Sequence, residues 1–428
     1  MSQSKWPVVA LSELTEKIMV GIASAATHAY VPSGIPMLRN LNIKEGGIDE
    51  TDVLYIDEVY EFQHRNKRLR EGDIITVRTG YPGISAVVPK KYEGAQCFTS
   101  LIIRPNEYRL NPHYFCQVIN SEYGKRLVKA SEAGGAQKNL NAGTIESFPV
   151  PLPSLEEQQN IVRIVSIWDQ AIATTERLIA NSRQQWQALI GVTLHLPSAN
   201  PDSEAPSDNG GFPASVQPGI PTLPAAPAGW RRIRLGDHLN EVRRPVALID
   251  DLSYTLVTVK RSRGGVQQRE VLLGSEVKTP SQFFVHAGDF LISKRQIVHG
   301  ACGIVPQALH GAVVSNEYAV LNSDTEIDLQ FLRYLSESRY FQQTCFHSSI
   351  GVHVEKMIFK TERWLSWPLN IPPLAQQQRI VEILDTASRE LTSIARQLDS
   401  LKQEKAALMS QLLTGKRRVN LPQQEASA

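Results

Sequence analysis

The chain has 428 residues, of which 42% are hydrophobic and 21% charged, and its formal net charge is +2 at pH 7. This length suffices for two or three domains, and the composition is typical of a soluble globular protein rather than a disordered or membrane-embedded one. The near-neutral charge excludes a uniformly basic surface, so a site for a polyanion must come from local clusters of cations.

The cysteines and the N-terminal residues indicate a reducing cytosol. The four cysteines form no Cys-x-x-Cys pair, and no Cys/His set has zinc-ligand spacing, so no metal site is predicted. The first residues, MSQSKWPVVA, lack the basic and apolar regions of a signal peptide. The sequence therefore predicts a cytoplasmic protein.

Residues 1–150 are predicted as a mixed domain with a mainly β core. Short apolar runs rich in Val, Ile and aromatic residues are bounded there by Gly, Pro and Asn. Residues 18–38 lack acidic and basic side chains, but two prolines break the stretch, which predicts strand and loop rather than a membrane span. REGDIITV (70–77) then predicts a strand, and NPHYFCQVINSEYGKRLV (111–128) predicts helix.

A long helix is predicted within residues 151–195, at the phrase LPSLEEQQNIVR. Apolar residues recur from Ile161 to Leu189 in alternating steps of four and three, which is typical of a heptad seam. A proline precedes the helix, where its fixed φ suits the start of a helix. Residues 196–229 contain eight prolines and predict a flexible, partly extended linker.

Residues 230–370 repeat the pattern of the first half. WRRIRLGDHL (230–239) corresponds to WPVVALSEL, HAGDFLIS (286–293) to REGDIITV, and LQFLRYLSESRYFQQ (329–343) to the first helical segment. The offset between equivalents varies from 224 (230 − 6) to 216 (288 − 72). This drift is typical of a duplicated fold whose loops have changed length, and not of a short-period solenoid.

The phrase IPPLAQQQRIVE repeats LPSLEEQQNIVR after 219 positions (371 − 152) and begins the last predicted helix, 371–416, before a tail at 417–428. Nine of ten seam positions from Ile380 to Leu412 are apolar, a heptad seam of 33 residues or about 50 Å. The matching seams favour pairing of the two helices with each other. Packing of each helix on its own domain is the alternative.

The tetrapeptide NPHY, residues 111–114, is the most enzyme-like motif. It is similar to the Asn-Pro-Pro-Tyr motif of amino-methyltransferases, which grip and stack on a flipped adenine. His113 replaces the second proline, and no glycine-rich cofactor loop follows a strand. A helix N-terminus with Asn111 as its cap and Pro112 in its first turn is the favoured interpretation. No catalytic residue is predicted, although a dispersed active site stays open.

Basic clusters recur in both halves near glycine-rich loops. Such clusters neutralise phosphates, and Arg can fork to guanine while Asn or Gln forks to adenine. A solvated face is the alternative interpretation of each cluster. The polar loops GGAQKNLNAG (134–143) and SSIGVHVEK (348–356) are predicted to read bases, with ordinary turns as the alternative. The predicted DNA-binding residues are Arg65, Lys67, Arg68, Arg70, Arg78, Gln137, Lys138, Asn139, Lys260, Arg261, Arg263, Lys294, Arg295, His353 and Lys356.

Two diverged halves, each with a Gly-Asp strand and a P-x-L-x-x-QQ turn into a long helix, and the final LLTGKRRV, resemble the specificity (S) subunit of type I restriction-modification enzymes. The resemblance covers nearly the whole chain except the Pro/Ala-rich insert. It implies an α/β (α+β) fold with two duplicated mainly-β target recognition domains joined by a long antiparallel two-helix coiled-coil spacer. The predicted spacer residues are Ile161, Val165, Trp168, Ile172, Ile179, Ile380, Leu384, Leu391, Ile394, Leu398 and Leu401.

The resemblance also implies a non-catalytic subunit that binds double-stranded DNA in bacterial defence. Its expected partners are two methyltransferase (M) subunits, with S-adenosylmethionine for adenine methylation, and nuclease-translocase (R) subunits, with ATP and Mg²⁺. No cofactor is expected in this chain. A self-sufficient DNA methyltransferase or nuclease, and a coiled-coil scaffold that binds only proteins, are the alternatives.

Overall fold

A computed structural model describes residues 6–24, 26–132, 139–196, 212–279 and 281–419. The chain divides into two compact units, one comprising Met1–Ile179 with Ile394–Ala428 and the other Ala180–Ser393. Within the described ranges, no helix combines the length and apolarity needed to cross a membrane.

The first unit contains twelve strands and four helices among its described residues, and it shares two further, long helices with the second unit. The strands are β1 Val8–Ala10, β2 Thr15–Val20, β3 Tyr30–Val31, β4 Ile35–Leu38, β5 Ile43–Lys44, β6 Gly47–Ile48, β7 Leu54–Ile56, β8 Ile74–Thr76, β9 Ser85–Val87, β10 Gln96–Cys97, β11 Leu101–Pro105 and β12 Pro149–Pro151. The helices are α1 Glu58–Gln63, α2 Pro112–Asn120, α3 Glu122–Glu132, α4 Ala142–Glu146 and the long α5 Leu155–Thr193.

The second unit repeats this composition with thirteen described strands and four helices, the last shared with the first unit. The strands are β13 Arg231–Arg234, β14 Leu239–Glu241, β15 Pro245–Val246, β16 Ser253–Val259, β17 Val266–Leu273, β18 Gln282–Phe284, β19 Phe290–Ser293, β20 Cys302–Ile304, β21 Val313–Ser315, β22 Tyr318–Ser323, β23 Ser349–Ile350, β24 Ile358–Phe359 and β25 Pro368–Ile371. The helices are α6 Leu329–Leu335, α7 Arg339–His347, α8 Thr361–Leu365 and the long α9 Leu374–Leu413.

The sheets confirm that the fold is duplicated. An antiparallel sheet of order β2-β11-β8-β9 in the first unit corresponds to β14-β22-β19-β20 in the second. The pair β1-β12 corresponds to β13-β25, in which the strand before each long helix pairs with the first strand of its unit. The remaining large sheets differ: β10-β4-β7-β3 has four strands, whereas β15-β18-β21-β16-β17 has five and includes a long hairpin, β16-β17.

The repeated Gly-Asp pairs form the turns that lead into the core strands β8 and β19. Gly72 and Gly288 have φ values of +83° and +91°, a left-handed conformation that favours glycine. The buried carboxylates of Asp73 and Asp289 each accept a hydrogen bond from the backbone N–H three residues earlier, at 2.9 Å and 2.7 Å. The sequence motif therefore encodes a closed turn at the same place in both units.

Each of these carboxylates also forms an ion pair with an arginine that lies 31 or 45 residues away in the sequence. Asp73 pairs with Arg104 and Asp289 with Arg244, both with a closest N–O distance of 2.7 Å. A buried carboxylate is stable only when it is paired and hydrogen-bonded, and both conditions are met here. The aspartates are thus structural, not catalytic, in these turns.

The repeated phrase at the head of each long helix contains one fully buried glutamine. Gln158 accepts a hydrogen bond from the backbone N–H of Asn111 through Oε1, at 2.7 Å. Its Nε2 donates to the carbonyls of Arg109 and Pro153, at 3.1 and 3.0 Å. Every hydrogen bond joins the start of α5 to the backbone of the preceding domain or turn.

The second copy makes the same three contacts. Gln377 accepts from the backbone N–H of Asp328 at 2.9 Å and donates to the carbonyls of Glu326 and Pro372, at 2.8 and 2.9 Å. Asn111 and Asp328 are the N-caps of α2 and α6. The repeated glutamine therefore ties the start of each long helix to the start of a domain helix. The cap geometry also confirms the helix interpretation of NPHY.

Within each unit the two long helices pack against each other in antiparallel order. In the first unit, Ile161 and Val165 of α5 share a hydrophobic cluster with Met409 and Leu412 of α9. Glu176 there pairs with Lys402 at 2.8 Å, and the earlier Asp169 pairs with the later Lys405.

In the second unit, Ile190 near the end of α5 and Leu194 just after it share a cluster with Ile380 and Leu384 of α9. All predicted seam positions of both helices are buried or half-buried. Helix α9 ends at Leu413, and Gly415 follows with φ +64° and donates its backbone N–H to the carbonyl of Leu412, as is common after the end of a helix.

The prediction of a flexible linker at 196–229 is wrong for residues 212–229, which we call the proline-rich segment. This segment forms no helix or strand, yet Val216 is fully buried in the second unit. Its backbone carbonyls accept hydrogen bonds from side chains of that unit, such as Gln343 and Asn370. Proline-rich composition hides this packing because an extended segment buries little side-chain area of its own. Residues 197–211 lie outside the described residues.

Candidate nucleic-acid interface

The predicted basic cluster KRSRGG is the turn of the long β16-β17 hairpin, and we call residues 260–265 the basic hairpin loop. Lys260 donates its backbone N–H to the carbonyl of Gly265 at 3.0 Å, which closes the loop. Ser262 and Arg263 have φ values of +52° and +55°. This conformation is costly for residues with a Cβ, and such strain clusters at functional loops.

Neighbouring backbone holds the strained conformation in place. The N–H groups of Ser262 and Arg263 donate to the carbonyls of His299 and Gly300, at 2.7 and 2.9 Å. A Cβ at Gly300 would lie 3.4 Å from the guanidinium carbon of Arg263. The loop therefore has one defined shape, with Lys260 and Arg261 exposed.

The side chain of Arg263 is mostly buried and bonds to neighbouring residues instead of facing solvent. Its Nε donates to the carbonyl of Ser336 at 3.0 Å and lies 3.3 Å from a carboxylate oxygen of Glu337. Its side chain is only 18% exposed. Arg263 therefore positions the loop, and a direct base contact by its guanidinium would require these bonds to break.

The structure brings together two segments that the sequence placed apart, the basic hairpin loop and residues 348–356. Glu355 pairs with Arg261 at 3.0 Å and also lies 3.2 Å from Nε2 of His299. His353 and Lys356 are exposed beside Glu355. Val352, at 95% exposure, was missed by sequence reasoning because an apolar residue in a short loop resembles core. Together these segments form one exposed surface with net cations.

Lys294 and Arg295 have acidic partners that the sequence did not reveal. Lys294 Nζ lies 3.1 Å from Glu241, with both side chains 19% exposed. Arg295 pairs with Glu317 through both Nε and Nη2. Because both cations are already paired with carboxylates of the second unit, they are less available to phosphates than unpaired cations.

In the first unit the RNKRLR cluster is divided between anchored and exposed cations. Arg68 makes a bidentate pair with the buried Glu61, both bonds at 2.6 Å, and this hydrogen bonding lowers the pKa of Glu61. Lys67 donates to the carbonyl of Gly21 at 2.9 Å. Arg65 and Arg70 are exposed, and neither forms a salt bridge within 4.0 Å among the described residues.

The predicted reading loop of the first unit is partly described. Gln137 and Lys138 lie outside the described residues, whereas Asn139 is exposed. Arg78 bonds to this loop through both backbone and side chain, because its carbonyl accepts from Leu140 N–H and its Nε donates to the carbonyl of Leu140.

Tyr81 lies in the adjacent GYPG loop and is 79% exposed. Sequence reasoning did not single out this side chain, although a tyrosine between glycines is a usable signal for an exposed aromatic contact.

The described residues contain no cluster of three or more His, Cys, Asp or Glu placed to hold a metal ion. The four thiols are buried, and burial raises their pKa, to about 12 for Cys97 and Cys116 and to about 11 for Cys302. Buried, protonated thiols are poor nucleophiles. Exposed cations and amides occur in both units, and groups of these kinds can bind phosphates and base edges without covalent chemistry.

The comparison with known proteins connects this geometry to a family. The model of the type I restriction modification DNA specificity domain matches residues 3–181 and 230–403. The putative type I restriction enzyme MjaX specificity subunit of Methanocaldococcus jannaschii is 23% identical over 432 residues, covering 97% of this chain and 94% of that protein. The type I restriction enzyme EcoBI specificity subunit of Escherichia coli is 27% identical over 136 residues, which is 32% of this chain and 28% of that protein.

Two solved structures share the fold and confirm the predicted fold class. A chain from work on complex assembly and conformational transition of the type I R-M system superposes with a TM-score of 0.56 at 19% identity, covering 96% of this chain and 98% of that one. The S subunit of a type I restriction-modification system from M. genitalium gives 0.53 at 12% identity, covering 99% and 98%.

Proposed function

Because this chain belongs to the type I restriction modification DNA specificity family, we propose that it is the non-catalytic subunit that gives a type I restriction-modification complex its DNA sequence specificity. Residues 1–150 and 230–370 are then its two target recognition domains, residues 151–195 and 371–416 its spacer helices, and the cytoplasm its location. The duplicated sheet order is the observation that carries this proposal, because one chain then presents two DNA-reading units.

The two units favour an asymmetric, bipartite target. Each unit contains a four-stranded sheet of the same order. The units differ in their second large sheet and in the loops that carry exposed polar and basic groups. Sequence is read by a few side chains at base edges, so different loops specify different bases. We therefore expect two unlike half-sites.

The exposed cations contribute the part of the binding free energy that is the same for every DNA sequence. Four exposed cations form no salt bridge among the described residues: Arg65 and Arg70 in the first unit, and Lys260 and Lys356 in the second. Cations of this kind bind phosphates and release counterions, which makes binding depend on salt. The anchored arginines, by contrast, support the shape of the loops.

The long helices are proposed as the ruler between half-sites. The predicted heptad seam of about 50 Å favours half-site centres separated by roughly one to one and a half helical turns of DNA. Bases between the half-sites are then unread.

The same helices expose apolar side chains away from their seam, such as Ile167 at 65%, Leu178 at 49% and Ile383 at 48%. We propose that these side chains help to dock two methyltransferase subunits. S-adenosylmethionine then binds to those subunits, and ATP and Mg²⁺ to nuclease-translocase subunits where these are present.

The decisive experiment is methylation mapping of the assembled complex. This chain and its methyltransferase subunit are incubated with plasmid DNA carrying randomised inserts, and modified adenines are located by single-molecule sequencing. A bipartite, asymmetric motif with an unread centre is expected. Methylation or cleavage by the purified chain alone would indicate an enzyme, and a complex without any protected or methylated motif would indicate a protein scaffold.

A domain exchange assigns each half-site to its unit. Replacing residues 1–150 with the equivalent domain of another family member should change one half-site and leave the other and the spacing unaltered. Inserting one heptad at matched places in both helices is the control for spacing, and it should lengthen only the unread centre. A change of both half-sites on domain exchange would refute the modular assignment.

A further inference from the structure

The proline-rich segment, residues 212–229, lies outside the two ranges that match the family, yet it is integrated into the second unit. Val216 is fully buried. The carbonyls of Pro218 and Gly219 accept hydrogen bonds from Gln343 and His347 of α7, at 3.1 and 2.7 Å. A segment with so many contacts to one unit does more than connect two domains.

One contact of this segment reaches the support of the basic hairpin loop. Ser215 Oγ lies 2.7 Å from Nδ1 of His299, whose ring is buried. Burial, together with the nearby Arg261, lowers the pKa of His299, so its imidazole is neutral near pH 7.

The partners of the ring favour one tautomer. Nε2 faces the carboxylate of Glu355 at 3.2 Å, and although this contact is too poorly aligned for a good hydrogen bond, it favours a proton on Nε2. Nδ1 is then the acceptor, and the hydroxyl of Ser215 donates to it.

His299 in turn shapes the loop. Its carbonyl accepts the N–H of Ser262, and the next residue, Gly300, accepts the N–H of Arg263; these are the two residues with the strained left-handed backbone. A rotation of the His299 ring or a shift of its backbone therefore moves the loop that exposes Lys260 and Arg261. The path from Ser215 to the loop has one side chain and two backbone hydrogen bonds.

We propose that the proline-rich segment determines the specificity of the second recognition domain, with Ser215 as a positioning residue that holds the basic hairpin loop through His299. This inference rests on the proposed DNA-reading function. It predicts that the segment affects one half-site only, because its described contacts all lie in the second unit.

The test uses the full complex and duplexes based on the mapped target. Initial methylation rates are measured for wild type and Ser215→Ala on the cognate duplex and on duplexes with one base changed in either half-site. The half-site read by the second domain is the one that domain exchange leaves unaltered. Loss of this partly buried hydrogen bond should reduce discrimination there about threefold to tenfold, with first half-site discrimination unchanged.

Two further variants separate positioning from general stability. Ser215→Thr keeps the hydroxyl and should restore discrimination, and Thr222→Ala removes an exposed hydroxyl of the same segment that has no hydrogen bond among the described residues. Equal changes at both half-sites, an unchanged second half-site, or a lower melting temperature without altered discrimination would each overturn the inference. Absence of any bipartite methylation by wild type would instead overturn the proposed function.

Discussion

We expect the buried Gln158 of the repeated phrase to contribute far more to the free energy of unfolding than the exposed Gln159 beside it. Gln158→Met removes all polar atoms while keeping a similar length and helix propensity. It leaves the backbone N–H of Asn111 and the carbonyls of Arg109 and Pro153 without this partner. An unsatisfied buried group costs about 1–3 kcal/mol; because only the contact with Pro153 is fully buried and the other two are partly buried, a total loss of about 2–4 kcal/mol is expected.

Urea denaturation of the full chain, followed by circular dichroism, measures this effect. With a slope of about 2–3 kcal/mol per molar urea, the midpoint should fall by about 1 M. The matched control is Gln159→Met, because Gln159 is the next residue of the same helix and is exposed. Gln377→Met and Gln378→Met form the equivalent pair in the second unit.

The acidic analogue provides a check through pH. In Gln158→Glu a carboxylate faces two carbonyl oxygens at about the distances of the present donors, 3.1 and 3.0 Å. The folded state therefore favours the protonated acid, and the pKa of the new side chain is raised. The destabilisation should be present near pH 7 and should diminish as pH falls. If Gln158→Met lowers the midpoint no more than Gln159→Met, the proposed role of the three hydrogen bonds is wrong.

Three further outcomes are expected. Asp289→Asn leaves the half-buried guanidinium of Arg244 unpaired and should cost about 2–4 kcal/mol in urea denaturation; a loss under about 0.5 kcal/mol would contradict the structural role of the Gly-Asp turn. Because Arg68 lowers the pKa of Glu61, this carboxylate stabilises the fold above its unfolded pKa and the benefit is lost as pH falls; Glu61→Gln should therefore flatten the acidic limb of the stability curve, and an unaltered limb would refute the pairing. Lys260→Ala should weaken binding to all duplexes and make the plot of log affinity against log salt less steep by about 0.9, whereas an unchanged slope excludes a phosphate contact.

The duplicated fold could be predicted from sequence because its markers are local. Gly-Asp before an apolar run and proline before a heptad seam are short patterns with direct conformational causes. The seam also predicted the pairing of α5 with α9, since a long apolar stripe needs a long partner. The structure adds why the phrase contains a glutamine at the positions of Gln158 and Gln377, which no helix propensity explains.

The binding surface could be predicted only in part because its cations depend on distant partners. Lys294 is far in sequence from Glu241, and Arg263 is far from Glu337, so the clusters looked uniformly free. The docking of the proline-rich segment was missed for a related reason. Its contacts use backbone carbonyls, such as that of Pro224 with Asn370, and sequence patterns do not report where a carbonyl points.

The division of the long helices between the two units has a consequence for biosynthesis. The first unit is discontinuous in the chain, because its core needs Met409 and Leu412 from the end of α9, and Trp6 donates its indole N–H to the carbonyl of Leu412. During synthesis, most of the first unit therefore leaves the ribosome before the end of α9, which completes its hydrophobic core. The apolar face around Ile161 stays open during that interval, which makes it a natural place for a chaperone to bind nascent chains.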